Sequence, residues 1–225
     1  MIKLTAADKA AIAHGDSAYI NEKGVRFFQK NDCEAAVEYY RLASSMGNME
    51  ATKNLGYCYL YGNHIEPNID LAIQYFEIAA MSGVVAAIYK LGDIYSSSKW
   101  IKQDKELSSY YFRVALEYIT SGEYEELFLN KDLFNYPSLM FAIARESMNG
   151  GMLTENPKLA YECLAIAFYG YSDAIADGDS IHSDCLDKVV KLLGSKELKD
   201  AKKVFEEHYY ESLDQELKTY KENHK

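Results

Sequence analysis

Four cysteines are all that this chain of 225 residues offers for covalent cross-linking. Cys33, Cys58, Cys163 and Cys185 stand alone at irregular distances, without a CxxC pair, which argues against a disulfide frame. Each lies in a helical apolar pattern, where a free thiol behaves as a small buried hydrophobe. The expected compartment is therefore reducing, the cytoplasm.

Positive charge is also short. Lys and Arg number 24 against 34 Asp and Glu, for a net charge of -10 and a pI near 5.0. Nucleic-acid affinity rests on counterion release to clustered Lys and Arg, and no such cluster is present, so no nucleic-acid partner is expected. The longest apolar run, 163–171, falls far short of the ~20 residues that cross a bilayer. The first residues run into a polar, alanine-rich helix without the apolar segment of a signal peptide, so a soluble protein with no membrane partner is expected.

Catalytic motifs are missing as well: HExxH, GxSxG, a phosphate loop and a dinucleotide fingerprint do not occur. His182 and Cys185 share a helical face, but two ligands do not make a zinc site. Asp173, Asp177, Asp179 and Asp184 surround Gly178 without the alternate spacing and distal Glu of a calcium loop. The expectation is a non-enzyme with no cofactor and no metal.

What the chain does contain is a repeat. Hydrophobic residues make up 48% of it, enough to order most of the chain. Windows 32–62 and 68–98 match at an offset of 36 residues: Asp32, Ala36, Tyr39, Tyr40, Ala43, Gly47, Ala51, Leu55, Gly56 and Tyr59 return as Asn68, Ala72, Tyr75, Phe76, Ala79, Gly83, Ala87, Leu91, Gly92 and Tyr95. Such fixed-period similarity marks a stacked helical repeat whose units bury their apolar faces against their neighbours.

Within a unit, Asp32 or Asn68 caps a first helix, here called B, by accepting from free amides of its first turn. Gly47 or Gly83 ends it in the left-handed conformation, and a second helix, A, follows. Gly56 and Gly92 sit mid-helix, where glycine costs about 1 kcal/mol against alanine, so close backbone packing is expected there. The register weakens through Asp104, Ser108, Tyr111, Phe112 and Ala115 and then slips. It resumes at Asn156, leaving an insert at about 121–136 that is expected to hold a short helix breaking the regular stacking.

The spacing seen complete over 32–62 resembles the Sel-one-like repeat, a relative of the tetratricopeptide repeat. That resemblance implies an all-α fold, a right-handed α-solenoid of antiparallel helix pairs, as one domain over 1–225. Its parts are an N-terminal helix at 1–15, repeat units over 16–193, and a long C-terminal capping helix at 194–225. It also implies an adaptor or scaffold for a protein or peptide, held on a concave face lined by the A helices.

Helix phase places Asn21, Phe28, Lys53, Tyr57, Tyr61, Tyr89, Asp93, Phe141 and Arg145 on that groove. Aromatic and arginine side chains contribute much of the energy at protein interfaces. The alternative is that these rings only cover neighbouring helices, as Tyr39, Tyr40, Tyr59, Tyr75, Tyr95 and Tyr111 are expected to do. Two other functions stay open: a self-associating protein that forms a homodimer through the insert or the final helix, and an enzyme built around His182 and Cys185.

Overall fold

A computed structural model describes residues 2–62, 65–121, 127–148, 156–178, 182–208, 217–220 and 222. Among these the secondary structure is helical, with no strand, and the chain forms two compact units, Met1–Asp104 and Lys105–Lys225.

The first unit holds α1 (Ala6–Ala13), α2 (Ser17–Gln29), α3 (Cys33–Ser45), α4 (Met49–Tyr61), α5 (Ile69–Met81) and α6 (Val85–Ser96). Helices α2 to α6 pack successively, each on the next. The caps are those the repeat calls for. The Asp32 carboxylate accepts from the Ala35 amide at 3.2 Å and the Asn68 side chain from the Leu71 amide at 3.0 Å. Asn48 does the same for the A helix α4, accepting from Ala51 at 2.8 Å. Gly47 and Gly83 lie just past the ends of α3 and α5 with φ of 86° and 80°, a region open to glycine at no steric cost.

Two mid-helix glycines, Gly56 of α4 and Gly24 of α2, are explained by contact. A β-carbon on Gly56 would lie 2.8–3.0 Å from three ring carbons of Phe76, and one on Gly24 would lie 2.7 Å from the ring of Tyr40. Both rings are buried, so the A helix can approach its partner only where it lacks a side chain. The expected packing tyrosines follow suit. Tyr39 and Tyr40 are buried, Phe27 stacks on Tyr39 at 5.3 Å, and Tyr59 stacks on Tyr75 at 5.4 Å.

Helix α1 covers the start of this unit through a buried ion pair. Asp8, wholly enclosed, accepts from the Lys23 ammonium at 2.5 and 2.7 Å and from the Tyr39 hydroxyl at 3.1 Å. Thr5 and Asp8 also form a reciprocal capping box at the start of α1. Burial pushes the Asp8 carboxyl up, but the hydrogen bonds from Lys23, Thr5 and Tyr39 more than offset it and hold its pKa down at about 2.

The second unit holds α7 (Lys105–Thr120), α8 (Pro137–Met148), α9 (Pro157–Ala176), α10 (Ser183–Leu193) and α11 (Lys199–His208). Its centre is α9, which packs against α8, α10 and α11 and is buried almost continuously from Ala160 to Phe168. Asn156 caps it, accepting from the Leu159 amide at 3.0 Å, where the sequence register resumes.

The insert holds short helical structure, as expected, of the 3-10 type, and 122–126 lie outside the described residues. It forms two 3-10 turns, Leu127–Leu129 and Lys131–Asn135, that pack on α9. Leu127 and Leu133 are buried, and Phe128 meets Phe134, Tyr169 and Phe205 at ring separations of 5.6, 5.8 and 5.1 Å. Gly170 of α9 lets the Phe134 carbonyl come in where a β-carbon would otherwise stand. The turns thus belong to the core of the unit rather than to a free loop.

Of the expected terminal cap, α11 and a helical turn at 217–220 are described, while 209–216 lie outside the described residues. Leu198, Ala201, Phe205 and Leu217 of this segment are buried.

Candidate functional site

The A helices of the first unit touch along one line. From α4 the Asn54 amide donates to the Asn21 carbonyl oxygen of α2 at 3.3 Å, and from α6 the Lys90 ammonium lies 5.6 Å from the ring centre of Tyr57. Tyr57 is braced from below by Phe76 of α5, edge to face at 5.0 Å, a pairing worth about 0.5–1.5 kcal/mol beyond its buried area.

A row of rings extends outward from there. Tyr57 and Tyr61, one turn apart on α4, lie parallel with centroids 6.3 Å apart, and Tyr61 meets Trp100, in the segment after α6, edge to face at 6.1 Å. Tyr61 is 48% exposed, so the outer end of the row faces solvent. Lys99 sits over the far ring, its ammonium 4.4 Å from the Trp100 centroid.

The charges of this face are paired within it. Lys90, nearly buried, lies over both Tyr57 and Tyr89 and bonds Asp93 at 2.8 Å. Burial alone would depress the Lys90 ammonium, but Asp93 and the tyrosine oxygens outweigh it and raise its pKa, so it stays charged. Lys53 is likewise joined to Glu50 at 2.5 Å. Burial raises the pKa of the Tyr57 hydroxyl, which keeps it a neutral donor.

Of the nine residues expected on the groove, the structure gathers Asn21, Tyr57, Tyr61, Tyr89 and Asp93 along this line. Lys53 stands one turn before Tyr57 with its charge satisfied, and Phe28 is 42% exposed near the end of α2. Phe141 and Arg145 belong to α8 in the second unit, where the guanidinium lies 5.9 Å from the Phe141 ring centre.

Three participants were not anticipated: Asn54, Lys90 and Trp100. The first two share a repeat position 36 residues apart, so reading the polar residue of each A helix as well as its aromatics would have found them. Trp100 has no periodic signal; its approach to Tyr61 is a tertiary event.

Elsewhere the chemistry is modest. An open depression of about 210 Å³ runs along α2, lined by Tyr19, Glu22, Lys23, Arg26, Phe27 and Lys30. Two of its cations are engaged, Lys23 with Asp8 and Arg26 with Glu22 at 2.6 Å. In the second unit His182 stacks on Tyr171 at 5.3 Å, a packing contact, and Cys185 is half-buried; Asp179 lies outside the described residues. Among the described residues no group of three or more His, Cys, Asp or Glu could hold a metal ion.

Cys33, Cys58 and Cys163 are free and buried. Burial pushes the Cys58 thiol up to about 11 and that of Cys163 higher still, which leaves both as packing groups rather than nucleophiles. No described helix is long and apolar enough to cross a membrane.

Comparison with known proteins agrees with this architecture. A family model described as Sel1 repeat matches residues 9–48, 50–84, 85–117 and 137–169, so the unmatched stretch between the last two holds the insert. No curated protein matches the chain. Among solved structures it is similar to a protective antigen present in uropathogenic Escherichia coli strains displaying an SLR fold, at 21% identity and a TM-score of 0.55, over 82% of this chain and 43% of the antigen. The chain thus spans under half the length of that protein, and the likeness establishes the fold. A Sel1 repeat protein from Oxalobacter formigenes is 22% identical over 66% of this chain and 95% of its own, with a TM-score of 0.43.

Proposed function

Because the chain belongs to the Sel1 repeat family, whose repeats typically mediate protein–protein interaction, we propose that it is a non-enzymatic adaptor that binds a protein or peptide on the A-helix face of its first unit. Tyr57, Tyr61 and Tyr89 are the contact residues, with Asn21, Phe28, Lys53 and Asp93 around them. Phe141 and Arg145 supply a separate contact on α8. The supporting observation is the exposure of Tyr61 at the end of a ring row whose inner members are fixed by packing on α5 and α6. Rigid aromatic area that loses little entropy on binding suits an interface anchor.

The test is an unbiased pull-down from the source cell with the wild-type protein and with Tyr57→Ala combined with Tyr89→Ala, the fold being checked by circular dichroism and urea midpoint. Partners held by the wild type should be lost or weakened at least tenfold. An unchanged set of partners, bound with unchanged affinity by a folded variant, would sink the assignment.

A further inference from the structure

We infer that α1 is an internal stand-in for a ligand: it fills a cationic slot on α2 and α3 that accepts an acidic helix from another protein, and that helix displaces it. The slot is separate from the A-helix face. At about 100° per residue, Lys23, Arg26 and Lys30 stand on the side of α2 opposite Asn21 and Phe28.

What α1 places in the slot shows the chemistry it takes. The Lys23 ammonium of α2 donates to both oxygens of the Asp8 carboxylate, at 2.5 and 2.7 Å, and the Tyr39 hydroxyl of α3 donates to one of them at 3.1 Å. Lys23 also lines the depression of about 210 Å³ along α2, together with Tyr19, Phe27, Arg26 and Lys30. Phe27 is held in place by its stacking on Tyr39. Fixed rings beside a row of cations suit an amphipathic helix with acids along one edge.

Helix α1 matches this surface poorly. Residues 1–15 carry one acid, Asp8, against Lys3 and Lys9, a net charge of +1 by that count (two minus one). Lys23, Arg26 and Lys30 follow one another at steps of three and four, and Asp8 answers only the first. Arg26 is paired with Glu22 of its own helix, both more than half exposed, and such a surface pair exchanges partners at little cost. Lys30 is exposed and has no ion pair among the described residues. A helix with acids at the same steps answers all three cations, whereas the α1 of a second copy brings the same mismatch.

The hold on α1 is also slight. Of its eight residues only Asp8 and Ala11 are buried, and a helix this short does not persist unaided. Few buried apolar contacts mark an element that opens before the rest of a fold. Gly15, at φ 70° with open space where a β-carbon would stand, joins it to α2 and supplies the hinge.

The full chain is titrated with a fluorescein-labelled, acetylated and amidated alanine-rich helix of roughly sixteen residues with Glu at steps of three and four, and in parallel with the same helix carrying Gln or Lys in place of Glu. The acidic helix should give a saturable change in anisotropy that weakens with salt, and its binding should speed amide exchange of α1 about tenfold or more. Asp8→Asn, which loosens α1 and leaves the slot, should bind about tenfold tighter, and Arg26→Glu combined with Lys30→Glu about tenfold weaker.

No saturable response into the millimolar range, or equal binding of the Gln or Lys helix, overturns the inference. So does binding of the acidic helix that leaves α1 exchange unchanged, a measurement on the wild type that decides the matter even where Asp8→Asn fails to fold. Tighter capture of a peptide of the chain's own residues 2–14 than of the acidic helix would make the occupant a second copy and overturn it as well. The A-helix face is untouched by any of these results, since it is tested through Tyr57 and Tyr89.

Discussion

Replacing Gly56 by alanine sets two known effects against each other at one position. In an unconstrained helix the change would stabilise, because glycine costs about 1 kcal/mol relative to alanine. Here the added β-carbon would meet Phe76 Cε1 at 2.8 Å, Cδ1 at 2.9 Å and Cζ at 3.0 Å, closer than real carbon contacts come. The ring cannot simply turn away, since Phe76 has no solvent exposure and also packs edge to face with Tyr57. Overpacking of this kind costs about 1–3 kcal/mol, so after the propensity gain the net loss should be about 0–2 kcal/mol.

Urea unfolding followed by far-ultraviolet circular dichroism measures it, and a double-mutant cycle assigns it. In a Phe76→Leu background the ring atoms that clash are gone, so Gly56→Ala should turn from destabilising to neutral or stabilising, with a coupling of about 1–3 kcal/mol between the sites. Because Phe76 braces Tyr57, the single variant should also disturb the binding face, and the cycle separates that effect from loss of fold. A Gly56→Ala protein more stable than the wild type, or a penalty that persists with leucine at 76, would refute the account of this glycine as a packing notch.

Two further outcomes follow from the ends and the insert. The Asp8 carboxyl has its folded pKa lowered from 3.8 to about 2, so its share of stability, on the order of 2 kcal/mol, is full above about pH 4 and disappears as pH falls through 2. The stability gap between wild type and Asp8→Asn should therefore narrow across that window in urea titrations, and a gap independent of pH would show that the ion pair with Lys23 does not anchor α1. Leu133→Ala, at a wholly buried position of the second 3-10 turn, should cost the second unit about 2–4 kcal/mol in denaturant unfolding, whereas a cost below about 0.5 kcal/mol would return the insert to the status of a dispensable loop.

Much of the scaffold could be read from residue spacing because the forces that shape it are local or periodic. Asp32, Asn68 and Asn156 cap helices through amides three residues ahead, and Gly47 and Gly83 end helices by their own backbone freedom. The recurrence of Gly56 at a fixed distance from Phe76 encodes a contact between neighbouring helices. Helix phase likewise brought Tyr57, Tyr61 and Asp93 to one side of α4 and α6. It could not tell which ring is covered and which is open, since that depends on what lies across the face: Phe76 and Lys90 enclose Tyr57, while Tyr61 keeps almost half its surface.

The sequence by itself determined the helical repeat, its punctuation and the family, since each follows from side chains a few residues apart or one period apart. Only the tertiary structure decided three things that have no period. Asp8 finds Lys23 and Tyr39 on two other helices; the insert folds into 3-10 turns against α9; and Trp100 closes the end of the tyrosine row. Each depends on which surfaces meet once helices have packed, and contact energies between residues unrelated in register leave no pattern along the chain.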